Sequence, residues 1–540
     1  MNHLTFVWNK SQDQGPPENH WREFSVWAGL FLTAFPLFSF NLASPFLDGQ
    51  ESLVAQMAKE MVNNNFLSGR WLFPTLWGES YHQHPPLGIF FIALTYLWGG
   101  VGEETTRLSG GILAALSIPL LYGLGREAFG RRMPALFSAL IFLTLFPVVR
   151  QGRSAWLDGA VICFEILTMW CVLRSRRDLR WSIGVGLSLS CLFLTQGVIS
   201  LCVSVAILLF LVWDTPRLLN SDYFWLGIIL GLIPAITWYG CQWILFGSAS
   251  IEGIFLVPFQ EHQGIFRGLW SLYGLQFVTF SFPWLIFAYS GLELARKSLI
   301  WGWAKLILVW GGSYLIIFTV LPLPGISYLI PLYPPLALAG GLVLAEVFDG
   351  PSKLPYPKFW QIALFILFGL VSLSFFSFWL NFPVNFGNSS YRLSLMLVLA
   401  VAASTFATTA IFITCRNRQF IIILFWGMYV SLMLLVNSPY WNGEIQSQKF
   451  IQPLAQMLRN RVPPHKVVYA DLAQENQALN FYSDHHVIPT TPETLLRYWH
   501  TLPDPYFLIT LETWQKLPLE YVYPLDEVFP NWYLITRIQN

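Results

Sequence analysis

Long apolar stretches follow one another along most of the chain, each close to the roughly 20 residues that a helix needs to cross a bilayer. They begin around Phe24 and recur to about Val436, separated by short polar segments. Spans are predicted from Phe24 to near Asn41, then over 108–124, 133–150, 158–173, 181–197, 198–213, 223–246, 270–290, 300–320, 327–346, 358–380, 393–413 and 419–436. That makes about thirteen crossings. The stretch Leu87–Val101 is shorter and is read as lying along or dipping into the membrane surface. After Asn437 the pattern changes, and charges and prolines return. Short apolar runs at 466–470, 486–489, 506–510 and 532–538 read as strands, and 448–460, 475–482 and 492–499 as helices. The expected architecture is an all-α polytopic membrane domain over 1–436 followed by a small α/β domain over 437–540. A unit of about 100 residues can hold its own core.

Composition sharpens this reading. Of the 540 residues, 55% are hydrophobic, 17% aromatic and only 11% charged, against roughly 25% charged in a soluble domain. A soluble enzyme is excluded. Lys plus Arg number 31 and Asp plus Glu 30, a net charge of +1, so nothing points to nucleic acid and only the placement of charge informs. The clusters Arg126/Arg131/Arg132, Arg174/Arg176/Arg177/Arg180, Arg217, Arg296/Lys297, Lys353/Lys358 and Arg416/Arg418 fall in short loops, which the positive-inside bias assigns to the cytoplasm. That parity places the N-terminus inside, the first loop (42–106) outside and the C-terminal domain outside. The polar first 22 residues precede an apolar run too long for a signal-peptide core, so the N-terminus is expected to be retained. The six cysteines lie in apolar runs without C-x-x-C spacing and read as buried hydrophobes.

Ionisable residues beside apolar helices carry the chemical information, because burying them without a purpose is costly. On the outer face the first loop offers Asp48, Glu51, Lys59 and Glu60, then Arg70, Glu79 and the run Tyr81-His82-Gln83-His84-Pro85-Pro86-Leu87-Gly88. A second loop carries Arg150, Arg153 and Asp158, and a later one Glu261, His262 and Arg267. Carboxylates from two loops facing several cations at one membrane surface suit an anionic substrate with a group that must lose a proton.

The stretches D-G-Q-E-S-L-V-A-Q-M-A-K-E-M (48–61), R-W-L-F-P (70–74), Y-H-Q-H-P-P-L-G (81–88), E-T-T-R-L-S-G (104–110) and R-S-A-W-L-D (153–158) resemble the opening of polytopic GT-C glycosyltransferases. P-F-Q-E-H (258–262), F-P-W (282–284), Y-L-I-P-L-Y-P-P-L-A-L (328–338) and A-L-N-F-Y-S-D (478–484) resemble later signatures of the protein O-mannosyltransferase-like family (glycosyltransferase family 39) and the aminoarabinose lipid A transferase family. The resemblance implies transfer of a sugar, with inversion, from a polyprenyl-phosphate donor to a lipid, glycan or protein acceptor at the extracytoplasmic face of a plasma membrane. It makes Asp48 the candidate general base and Asp158 the second acidic residue, orienting the acceptor or helping to hold a metal.

The leaving group is a phosphate, so cations rather than a general acid are needed, and His84, Arg107, Arg153 and Arg267 are the candidates. Glu51, Tyr81, Glu261, His262 and Tyr328 complete the expected substrate contacts. Asp48, His82, His84 and Asp158 are candidate ligands for a divalent metal, which is otherwise not assigned. The alternative for Asp48 is a helix N-cap for residues 49–61, and for Asp158 a cap of the span that follows. The sequence departs from the aminoarabinose transferases, which have Glu-Lys where Gln83-His84 stands and Thr-Lys-Gly where Thr195-Gln196-Gly197 stands. The alternative function is a polytopic transporter or flippase, although the spans hold almost no ionisable residues and no repeat is visible.

Overall fold

The computed structural model describes residues 20–63, 72–255, 266–320, 326–350, 356–380, 389–438, 441, 451–464, 466–516, 522–528 and 532–537. Helix α1 (His20–Ser39) leads to α2 (Gly49–Asn63), a hairpin of β1 (Thr75–Leu76) and β2 (Glu79–Ser80), and α3 (Pro86–Gly99). The bundle continues with α4 (Glu103–Phe129), α5 (Arg132–Leu143), α6 (Phe146–Gly152), α7 (Asp158–Ser175), α8 (Trp181–Phe193), α9 (Gly197–Asp214), α10 (Pro216–Leu219) and α11 (Asp222–Phe246). Then come α12 (Ser248–Phe255), α13 (Phe266–Ser281), α14 (Trp284–Lys297), α15 (Gly302–Val320), a 3-10 turn (Ile326–Leu332), α16 (Tyr333–Asp349), α17 (Lys358–Trp379), α18 (Ser389–Thr414) and α19 (Phe420–Val436).

Among the described residues seven helices are long and apolar enough to cross a membrane, or up to nine if the bent pairs α5/α6 and α13/α14 each count once. This is fewer than the thirteen expected. Part of the difference is physical: Arg22 and Glu23 sit in α1 and Asp158, Glu165 and Arg174 in α7, while α8 and α19 are short. Helix α17 has only 6% of its apolar window buried by protein, so its Ile362, Phe365, Ile366, Leu370 and Leu373 need lipid as their solvent. The stretch expected at the membrane surface forms α3, which packs on α2 and α4.

Helix α4 is the hub, touching α1, α3, α5 and α7. It meets α7 where a Cβ on Gly159 would collide with the Gly110 carbonyl, so glycine is what lets the start of α7 close onto α4. Opposite ends of these helices are sorted by charge. Arg131 pairs with Glu346 and Asp349 at 2.5 Å each, Arg132 pairs with Glu23, and Arg176 and Lys305 share Asp214. These pairs tie the basic loops into one end of the bundle. Asp48, Arg107 and Asp158 belong to the other.

The residues after α19 form α20 (Ile451–Arg461), β3 (Val468–Ala470), α21 (Gln477–Ser483), β4 (Val487–Pro489), α22 (Pro492–Thr501), β5 (Tyr506–Thr510), α23 (Leu511–Lys516), β6 (Val522–Val528) and β7 (Trp532–Arg537). The sheet order is β4-β3-β5-β7-β6, with the first three strands parallel and the last two antiparallel. Val468 pairs with Val487 and Tyr506, which places buried aliphatic residues on both faces against α20, α21 and α22. Strand β6 is not read from the sequence. It lies at the edge, carries Pro524 and slips register between Pro524 and Asp526, and each of these breaks the alternating signal of a strand.

This domain rests on the first loop. The Tyr482 hydroxyl accepts from the Leu47 N–H at 2.8 Å and donates to Glu103 at 3.1 Å, and Lys59 pairs with Asp484 at 2.5 Å.

Candidate active site

Asp48 stands immediately before α2 and caps it. Its Oδ1 accepts from the Glu51 N–H at 2.8 Å while Glu51 Oε2 accepts from the Asp48 N–H at 3.3 Å, a reciprocal capping box spelled by Asp48-x-x-Glu51. The indole N–H of Trp156 reaches both Asp48 oxygens, at 3.2 and 3.1 Å. The carboxylate stays half-buried at the protein surface.

Two residues beyond Trp156, Asp158 opens α7 and is 1% exposed. The positive end of the α7 dipole favours its charge. Leu157 before it is held at φ 68°, a left-handed conformation that is uncommon for a branched residue. Ala155 donates its N–H to Glu51 Oε1 at 2.9 Å. The 154–158 turn is therefore bonded to both acids at the start of α2, and this brings Asp48 and Asp158 to one edge of the bundle. Tyr328 joins them from the 3-10 turn, interacting with the Gln196 side chain and with the charge of Asp158.

Two arginines expected to face a donor phosphate are turned inward. Arg107 grips Glu51 through Nε at 2.9 Å and through Nη2, both side chains being 4% exposed. Its remaining donors go to the carbonyls of Leu42 (2.9 Å), Pro45 (2.6 Å) and Phe46 (3.3 Å). All five N–H groups of the guanidinium are thereby used. Arg153 donates to Leu37 and Phe40 at 2.7 Å and to Asn41 at 3.1 Å, and lies over the Trp441 ring at 5.3 Å. It is a cationic cap on the C-terminus of α1.

His84 is also not a cation. Desolvation pushes its pKa down to about 4, and its ring stacks on Tyr81 at 5.9 Å. Tyr81 itself donates to Gln83 Oε1 at 2.6 Å. His82 packs on Phe246 at 4.7 Å, with its Nδ1 buried and without a hydrogen-bond partner among the described residues. Among the described residues no three His, Cys, Asp or Glu side chains are grouped to hold a metal, the candidates Asp48, His82, His84 and Asp158 included. Glu261 and His262 lie outside the described residues, and so does the side chain of Arg267, although its backbone belongs to α13.

Three features were not anticipated. Trp156 was not assigned a role and bonds Asp48; a tryptophan two residues before a candidate acid was the available signal. Gln196 was noted only as a missing lysine. Glu165, fully buried in α7 and accepting from the Trp310 N–H at 2.9 Å, is an ionisable group inside a span.

These helices, loops and C-terminal domain share the fold of ArnT from Cupriavidus metallidurans, solved bound to undecaprenyl phosphate (TM-score 0.75, 16% identity, 95% of this chain and 98% of that one). An apo oligosaccharyltransferase from Archaeoglobus fulgidus shares it more loosely (TM-score 0.53, 12% identity, 87% of this chain and 65% of that one). In sequence, residues 83–240 match the family described as dolichyl-phosphate-mannose-protein mannosyltransferase. The chain is also similar to an undecaprenyl phosphate-alpha-4-amino-4-deoxy-L-arabinose arabinosyl transferase of Pseudomonas fluorescens, at 24% identity over 59% of this chain and 58% of the relative. Its counterpart in Aeromonas hydrophila is 26% identical over 65% and 64%. The chain thus aligns with under two thirds of the length of these two relatives.

Proposed function

We propose that this protein is an integral-membrane glycosyltransferase that moves a sugar from a polyprenyl-phosphate donor to an acceptor hydroxyl at the outer face of a plasma membrane. The observation that carries the reading is the turn 154–158 bonding Asp48 through Trp156 while setting Asp158 at the start of α7. A half-buried carboxylate beside a buried one, at the bundle end away from the basic loops, is what a base working on a membrane-borne donor requires. The likeness to enzymes named for undecaprenyl-phosphate sugars supports the donor class.

Asp48 removes the proton from the acceptor hydroxyl as its oxygen attacks the anomeric carbon. The bond from that carbon to the phosphate oxygen breaks on the opposite face, polyprenyl phosphate leaves with the electron pair, and the configuration inverts. Asp158, with Tyr328 and Gln196, orients the acceptor. Arg107 and Arg153 are positioning residues rather than phosphate ligands, because their donors hold the 37–46 backbone and the Glu51 carboxylate. Arg150, exposed in the last turn of α6 beside this turn, is the cation that faces the leaving phosphate. The N-terminus is cytoplasmic, and the domain over 437–540 is extracytoplasmic.

The test is transfer of radiolabelled sugar from a panel of polyprenyl-phosphate sugars in membranes holding wild type, Asp48→Asn or Asp158→Asn. Loss of a general base should lower turnover about 10²–10⁴-fold in Asp48→Asn at equal protein level. Consumption of no donor, with labelled lipid or solute changing sides of the membrane instead, would replace the enzyme with a transporter. A Cys at Ser80 should react with an impermeant thiol reagent from outside and one at Ser175 should not.

A further inference from the structure

A cleft of about 550 Å³ lies between the first-loop hairpin and the C-terminal domain, and the transfer chemistry above makes no use of it. One wall carries Glu60 and Trp77; the other carries Arg459, Lys466, Asp484 and His486. Its volume falls in the range of about 300–1,000 Å³ typical of small-ligand sites.

The acids in this lining are already engaged. Glu60 accepts from Gln56 at 3.1 Å, Thr75 at 2.7 Å and the N–H groups of Trp77 (2.7 Å) and Gly78 (3.3 Å), while Asp484 holds Lys59 at 2.5 Å. Lys466 is paired with Asp504 at 3.2 Å. Arg459 is exposed and makes no ion pair among the described residues. The Glu60 bonds hold the two-residue hairpin turn, in which Trp77 and Gly78 both take the positive φ (54° and 81°) that such a turn requires. The Trp77 ring lies flat against His486 (5.3 Å between centroids, 3° between planes), and its indole N–H is buried without an acceptor among the described residues. The cleft therefore presents an uncommitted guanidinium and a stacked aromatic wall. Together these ask for a ligand with negative charge and a flat face to lay on a ring.

The cleft and the candidate base share one rigid element. From Asp48 to Glu60 the chain climbs α2, a rise of about 18 Å. That is longer than a monosaccharide. We propose that the cleft is a second binding site, for an anionic segment of an extended glycan whose reacting hydroxyl reaches Asp48. The link to Asp48 rests on the transferase reading; occupancy of the cleft does not.

The test uses the full chain in zwitterionic nanodiscs and calorimetric titration with three probes: a galacturonate hexamer, galacturonic acid and neutral maltohexaose. The hexamer should bind wild type and Asp48→Asn alike, and the two other probes should bind far more weakly. Arg459→Glu and Trp77→Ala should each weaken the hexamer about tenfold or more, and Arg459→Lys should restore part of the loss. In transfer assays with an extended acceptor, Arg459→Glu should raise KM with kcat unchanged. A hexamer coupled to a lipid in the same disc tells the sources apart: tighter binding than the free hexamer marks a membrane-borne glycan, equal binding a soluble one. Equal hexamer affinity in wild type, Arg459→Glu and Trp77→Ala, or maltohexaose binding as tightly, overturns the site. Hexamer binding that needs Arg459 in a protein that transfers no sugar upholds the site and rejects the transferase reading alone.

Discussion

Removing the Arg107 side chain separates two roles for it, phosphate ligand or clamp of the first loop. Arg107 and Glu51 are each 4% exposed and bonded through two parallel contacts, and three backbone carbonyls of residues 42–46 take the remaining donors. Deleting one partner of such a buried pair costs about 3–5 kcal/mol, because the charge left behind has no solvent to replace it. Arg107→Ala also strips donors from the loop carbonyls, so it should be the worse variant. Glu51→Gln keeps the shape and some hydrogen bonds but leaves the guanidinium without a countercharge. The double variant Arg107→Met/Glu51→Leu should lose less than the sum of the single changes, because both ends of one interaction are gone. Thermal midpoints of the full chain in nanodiscs, with hydrogen exchange across residues 42–58, measure the clamp; donor KM measures the ligand. The clamp predicts faster exchange around Asp48 and a lower midpoint in Arg107→Ala. Wild-type stability and exchange together with a large rise in donor KM would refute it and return Arg107 to the phosphate.

Arg150→Ala should raise donor KM about tenfold, the loss of roughly one charge-assisted hydrogen bond, with little change in thermal midpoint; an unchanged KM assigns the phosphate to another cation. His84 supplies a pH signature. Its folded pKa near 4 lies below the ordinary 6.5, so the unfolded chain takes up a proton there first. The stability that depends on neutral His84 is complete above about pH 6.5 and is lost as the pH falls toward about 4. Midpoints of wild type minus His84→Gln across that window should shrink with acidification, and a flat difference would contradict the desolvated ring.

How far the sequence reaches depends on what each residue's partners are. The apolar helices are legible because lipid demands uninterrupted apolar length, though not which of them span, and the strands at 468–470, 487–489, 506–510 and 532–537 because alternating apolar runs meet a packed core. Strand β6 and the interior Glu165 escape the same logic, the first through Pro524 and a register slip, the second because one carboxylate in an apolar run shows no partner until Trp310 is brought beside it. The capping box of Asp48 and Glu51 is written in four adjacent residues and could be read.

Arg107 and Arg153 could not be placed in the same way, since a cation in an outer loop looks available until the carbonyls around it are known. The carbonyls that occupy them belong to the 37–46 segment leading into Asp48. In the proposed reaction a cation bound to that segment would not be free to follow a phosphate that arrives with one lipid and leaves with the next. The segment that leads into Asp48 is thus held by two arginines, and the proposal gives the leaving group to Arg150, which the fold leaves exposed.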